Sequence, residues 1–244
     1  MNARRSSLLA LLLLVTSGPL ASNPPRIAII IDDLGYALEA GQRAIQLPGP
    51  VSFAVLPGAP RARILALEAH EYGKEVLLHL PLQAKPNDSV QEPMSINLDM
   101  NRGEFRDTFE LALSSVPYAI GVNSHRGSLL TRHPGHMQWL MEEIRARDNL
   151  FFIDSYTTHE SVALQIAAEA GVNARKRDIF LDPDREPETV AREFERMKRL
   201  AVQRGSVVVI GHPYSATLDL LERELPKLAA EGFELVTISE LLRQ

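Results

Sequence analysis

The apolar positions of this chain fall into short unbroken runs separated by longer stretches with helical spacing. Ile27-Ala28-Ile29-Ile30-Ile31 is the clearest run. It is rich in β-branched residues, lacks alternation and is too short for a buried helix, so it reads as a strand covered on both faces of a sheet. Comparable strands are predicted at residues 51–56, 75–80, 119–122, 150–153, 179–181, 206–210 and 233–238. Between them lie segments with helical periodicity. These are residues 36–46, 59–72 (Ile64, Leu65, Leu67 and Ala69 facing the core, Gly73 as cap), Arg102–Ser115 (Phe105, Phe109, Leu111 and Leu113 inward), and 137–147, with Pro134 at an early helix position. Residues 161–170 capped by Gly171, Pro187–Arg204 capped by Gly205, a helix broken near Pro226, and a short last helix over 239–243 complete the series. Repeated βα units predict a mostly parallel sheet with right-handed crossovers. Residues 83–101 break the rhythm with turn-forming and polar side chains and predict a long loop over one face of the sheet, the kind of excursion that often binds or covers a ligand.

Ionisable residues follow the strand runs with a regularity that no single motif explains. Asp32-Asp33, His79, His125, Asp154, Asp182 and His212 each sit at or near a strand end. In parallel sheets these ends share one face, so residues remote in sequence can meet there. Adjacent carboxylates repel and call for a cation, a shared proton or strong donors. Helix capping and solvation account for an isolated Asp-Asp equally well, because strand-to-helix turns favour Asp. Histidine has no such preference, which makes His79, His125 and His212 the more informative members.

Composition narrows the chemistry. The 244 residues are 45% hydrophobic and 23% charged, enough for one sizeable core, and no linker or internal repeat divides residues 23–244, which read as a single domain. A net charge of −5 without a dense basic run past the N-terminus argues against a nucleic-acid partner. With no cysteine, any metal must be held by His, Asp or Glu.

The first 22 residues read as an export signal. Arg4 and Arg5 precede an apolar stretch over 8–15, and small or turn-forming residues over 17–22 follow, placing the mature start near Ser22 or Asn23. The stretch is shorter than the ~20 residues that a spanning helix needs, so a periplasmic location is expected, with an uncleaved anchor as the alternative because no site fits the small-x-small cleavage pattern well.

Five segments, in order, resemble the divergent polysaccharide deacetylase family, a branch of the NodB-like carbohydrate esterases. They are Ile-Asp-Asp-Leu-Gly at 31–35, Leu-His-Leu-Pro-Leu at 78–82, Gly-Val-Asn-Ser-His-Arg-Gly-Ser at 121–128, Phe-Ile-Asp-Ser at 152–155 and Ile-Gly-His-Pro-Tyr at 210–214. The resemblance covers nearly all of the mature chain. It implies a distorted (β/α) barrel of seven to eight mostly parallel strands, with a divalent metal, usually zinc, in an Asp-His-His site at the C-terminal rim. The implied reaction removes acyl groups from an N-acetylated amino sugar or related envelope glycan. Carried over residue by residue, Asp32 matches the general base, Asp33 the metal-binding acid, His79 a metal histidine, and His212 the acid that protonates the leaving amine.

Two departures shape the expectations. The family's usual His-Ser/Thr-x-x-His turn is replaced here by His79-Leu80-Pro81-Leu82-Gln83, so His125, ending the next strand, is taken as the third ligand, with His133 and His136 of His-Pro-Gly-His as the alternatives. The usual arginine-proline motif is also missing, and Arg126 or Asn123 stands in that region. Asp154 is expected to orient His212 or a ligand histidine, its competing reading being a cap on the next helix; Asp182 and Asp184 read as turn acids. His159 reads as a residue bordering the pocket, and His70 as a surface residue. A barrel that binds glycan or a cell-wall protein without catalysis would carry much the same sequence.

Overall fold

The computed structural model describes residues 23–86, 92–147 and 149–243; the export signal lies outside them. The elements run β1 (Arg26–Leu34), α1 (Leu38–Ile45), β2 (Ser52–Val55), α2 (Ala62–Glu71), β3 (Glu75–Leu82), α3 (Arg102–Ser115) and β4 (Ala119–Arg126). They continue with α4 (Pro134–Arg145), β5 (Phe151–Asp154), α5 (Ala163–Ala170), β6 (Ala174–Lys176), β7 (Ile179–Phe180), α6 (Pro187–Arg204) and β8 (Ser206–Gly211). The last are α7 (Ser215–Glu224), β9 (Glu234–Val236) and α8 (Ile238–Leu242), with a short 3-10 turn, Leu225–Lys227, where Pro226 ends the helix before it. The predicted alternation is therefore present, with one short strand, β6, that the apolar pattern did not mark because its residues are Ala-Arg-Lys.

All strand pairs are parallel, in the order β6-β5-β4-β3-β2-β1-β8-β7, with β9 also paired to β1. The two ends of that order are consecutive in the chain, β6 and β7 being joined only by Arg177 and Asp178. Two residues span at most about 10 Å between flanking Cα atoms, so the sheet must curl until its edges nearly meet. The link is fastened on both sides: the Arg177 N–H donates to the Asp154 carbonyl (2.9 Å) and the Asp178 N–H to that of Val208 (2.8 Å).

Two apolar layers follow from the curl. Alternate strand residues point to opposite faces. Ile27, Ile29 and Ile31 pack outward with Val207 and Val209 against the helices, whereas Ala28, Ile30, Ala54, Leu77, Ile153, Val208 and Ile210 fill the barrel interior. Ile238 and Leu241 of α8 close its lower end. Ile27 to Ile31 are fully buried; each isoleucine contributes about 1.5–3 kcal/mol. Ile64 and Leu111, expected inward, are half exposed. On their helices the core side is held by Leu65, Ala66 and Ala69 and by Phe105, Phe109 and Ala112. Among the described residues no helix is long and apolar enough to cross a membrane.

Candidate metal centre

The same alternation decides what reaches the barrel mouth. Asp32 follows Ala28 and Ile30, His79 follows Leu77, and His212 follows Val208 and Ile210, so all three continue interior-facing rows. On β4 the outward Val122 leaves Asn123 and His125 inward. Consecutive residues of a regular strand cannot both face inward, yet Asp33 joins Asp32. The β1–β2 register shifts between Ile31 and Leu34, and Asp33 takes the left-handed backbone conformation, φ 61°. Such an irregularity re-aims a side chain, and strain of this kind concentrates at functional sites. His79 lies inside β3 rather than at its end, because that strand runs on to Leu82.

Asp33, His79 and His125 converge. Asp33 Oδ1 is 3.2 Å from His79 Nε2 and 3.1 Å from His125 Nδ1, and the two imidazole nitrogens are 2.9 Å apart. Asp33 Oδ1 is buried and in neither contact is it aligned as a hydrogen-bond acceptor. Three nitrogen and oxygen donors about one tetrahedral edge apart, roughly 3.3 Å for zinc-type bonds of 2.0–2.1 Å, suit a small divalent cation. Among the described residues this is the one cluster of such donors. His133 and His136 are not part of it; their rings meet edge-on with 5.9 Å between centres, and the His136 ring lies 4.8 Å from that of Trp139 on α4.

Two further groups flank the donors. Asp32 Oδ2 lies 3.6 Å from His79 Nε2, and His212 Nε2 lies 3.7 Å from the second oxygen of Asp33. A small cleft of about 80 Å³ opens over them, lined also by Arg126, Ser155, Thr157, Arg177 and Phe180. His159 is not among its lining residues. Burial pushes the Asp32 carboxyl up to about 6 against the pull of His79 and His212. Burial would raise Asp33 too, but the close approach and charge of His125 and His79 outweigh it and hold that carboxyl well below the ordinary range. Burial opposes charge on His125, yet Asp33 and Glu92 raise it to about 9 in the ion-free protein. In His212 burial is likewise outweighed, chiefly by Asp182.

The expectation for Asp154 is corrected. It follows the outward Phe152, so it points away from the barrel interior. One oxygen accepts the Tyr156 N–H (2.8 Å), the other the Ser161 hydroxyl (2.7 Å), which holds the turn into α5. Asp182, read as a turn acid, occupies the place expected for it. It shares the inward parity of Phe180, is buried, and accepts from His212 Nδ1 (2.8 Å), the His212 backbone N–H (2.7 Å) and the Thr217 hydroxyl (2.7 Å). The alternation rule applied to Phe152 and Ile179 would have found both. Glu92, in the long excursion, touches His125 Nε2; nothing local in its sequence marks it. Arg177, likewise missed, donates through Nε to the Ser155 carbonyl (2.7 Å) and supports the cleft wall.

Comparison with known proteins agrees with this architecture. Residues 29–242 match the family model described as divergent polysaccharide deacetylase. The chain is 36% identical over 241 residues to the uncharacterized Escherichia coli K12 protein YibQ, covering 99% of this chain and 74% of that one. An uncharacterized Agrobacterium tumefaciens C58 protein of known structure superposes with a TM-score of 0.85 at 19% identity, over 91% of this chain and 90% of that one. The peptidoglycan deacetylase PdaC of Bacillus subtilis (TM-score 0.52, 17% identity, 91% of each chain) shares the fold. So does a CE4 family pseudoenzyme of Bacillus anthracis (0.54, 17%, 90% of this chain and 66% of that one). The curled parallel barrel is thus of the NodB-like type, and this chain belongs to the divergent polysaccharide deacetylase family.

Proposed function

We propose that the protein is an exported, metal-dependent amide hydrolase that removes acetyl groups from N-acetylated amino sugars of an envelope glycan, in the periplasm. The observation that carries this reading is the convergence of Asp33 Oδ1, His79 Nε2 and His125 Nδ1 with Asp32 and His212 beside them. Asp33, His79 and His125 would hold a divalent ion, for which zinc suits the mixed imidazole and carboxylate set. Such an ion supplies Lewis-acid polarisation of the amide carbonyl and acidifies water. Asp32 takes the proton of the attacking water, and His212 gives one to the amide nitrogen as the C–N bond breaks, releasing acetate and the free amine. Asp182 fixes the His212 tautomer so that Nε2 is the nitrogen presented to the cleft.

The site is open and small compared with a sugar ring, which suits a substrate that lies across the mouth and inserts only its acyl amide. The test is acetate release from chitooligosaccharides and peptidoglycan fragments. Asp32→Asn should abolish release while the ion stays bound. A fold neighbour named a pseudoenzyme supports one second reading, a non-catalytic glycan-binding barrel that keeps the ion. No release by the unmutated, metal-loaded protein across a broad glycan panel, together with measurable glycan binding, would favour it.

A further inference from the structure

We propose that Glu92 is a positioning residue of the metal centre: from the excursion between β3 and α3 it holds the His125 imidazole in the tautomer that frees Nδ1 to bind the ion. The inference rests on the donor set assigned above and adds a residue outside it.

His125 presents Nδ1, not Nε2, to Asp33 and His79. That choice needs a reason, because a neutral imidazole carries its proton on either nitrogen and only the bare one can bind a cation. Glu92 supplies it. One carboxylate oxygen is 3.1 Å from His125 Nε2 as a hydrogen-bond partner and the other is 3.0 Å away. A carboxylate is an acceptor only, so the proton resides on Nε2 and the Nδ1 lone pair is left for the ion. Metal-binding histidines characteristically donate their second N–H in this way, and loss of that partner weakens metal binding 10–100-fold.

Glu92 is held in place by its own segment. Ile96, fully buried, forms a parallel bridge with Leu82: its N–H donates to the Pro81 carbonyl (2.9 Å) and its carbonyl accepts from Gln83 (3.0 Å). The Leu98 N–H donates to the Gln83 side chain (2.9 Å). Pro93 packs against Gly58, where an added Cβ would stand 2.7 Å from it. The segment is therefore anchored just past His79 on the same strand, and Glu92 reaches His125 from a fixed base.

The test is zinc affinity, read by competition with a chelating dye, for the purified wild-type protein, Glu92→Gln and Glu92→Ala, with 15N-histidine NMR of the His125 tautomer in each zinc-loaded form. Glu92→Ala should weaken zinc binding 10–100-fold and lose the slowly exchanging Nε2 proton. Glu92→Gln keeps a carbonyl acceptor and should recover part of both. Matched melting temperatures of the metal-free forms would exclude a folding defect as the cause. Wild-type affinity and an unchanged Nε2 proton in Glu92→Ala would overturn the role of Glu92 and leave the metal centre standing. Wild-type protein that takes up no zinc would overturn the centre and this role together.

Discussion

Asp182 Oδ1 lies 2.8 Å from His212 Nδ1, while its other oxygen accepts both the His212 backbone N–H and the Thr217 hydroxyl. A buried carboxylate with three donors holds one imidazole in a single orientation, which a general acid needs. Asp182→Asn should therefore lower deacetylation roughly 10²-fold or more and leave the bound ion in place. Asp154→Asn, altering an acid that serves the turn into α5, should change the rate less than about threefold and lower stability by about 1–3 kcal/mol. Rates and ion content of the two variants side by side decide between the acids; a large rate loss in Asp154→Asn alone would reverse the assignment.

Ion content discriminates among the histidines. The purified protein should carry about one equivalent of a divalent ion, and Asp33→Ala, His79→Ala and His125→Ala should each lose it. His133→Ala and His136→Ala should retain it, since the two rings contact each other and His136 lies against Trp139, away from the donor set. Elemental analysis after gel filtration reads the outcome. Retention in His125→Ala with loss in His136→Ala would move the third ligand to α4.

Proton competition gives the centre a pH signature. In the ion-free protein Asp33 and Glu92 raise His125 to about 9. Below that pH the ring carries a proton that an incoming cation must displace, so binding releases it. Apparent zinc affinity should climb about tenfold per pH unit from pH 7 toward 9 and then level off. An ordinary histidine would level off near 6.5. Isothermal titration in buffers of different ionisation enthalpy counts the released protons; a flat affinity from pH 7 to 9 would contradict the coupling.

The turn that re-aims Asp33 makes a stability prediction. Gly35 stands at φ +140°, and an added Cβ would come within 2.6 Å of the Ala59 Cβ. Gly35→Ala should cost about 1–3 kcal/mol, a fall of roughly 2–12 °C in melting temperature for a chain of this size. The ion should bind more weakly as well, because the same backbone segment carries Asp33. A melting temperature within 1 °C of wild type would argue that the turn absorbs a side chain.

Much of the fold was legible because its information is local. The run Ile27 to Ile31, Pro187 to Arg204 and the Gly171 and Gly205 caps declare themselves through spacing and backbone preference, which neighbouring residues set. The Asp32-Asp33 pair, His125 and His212 were legible as chemistry at or near strand ends on the same grounds, and His79 as a residue of its strand, although that strand runs on to Leu82. Asp154 misled because it ends a strand as Asp182 follows one, and only the inward or outward sense of Phe152 and Ile179 separates them. Strand β6 escaped notice because a strand of Ala-Arg-Lys at a barrel edge is specified by its neighbours rather than by its own apolar content.

By itself, then, the sequence determined the order of strands and helices apart from β6, the parallel sheet, and the acids and imidazoles available at its mouth, since each depends on side chains a few positions apart. The tertiary structure decided which of them meet. Closure across Arg177 and Asp178 brings strands from opposite ends of the sheet order together, a backbone irregularity turns Asp33 to the side of Asp32, and the anchored excursion delivers Glu92 to His125. The contacts of the site join residues as far apart as Asp182 and His212, His79 and His125, and Asp33 and His212, and no local pattern encodes a close approach between groups that only the curl of the sheet makes neighbours.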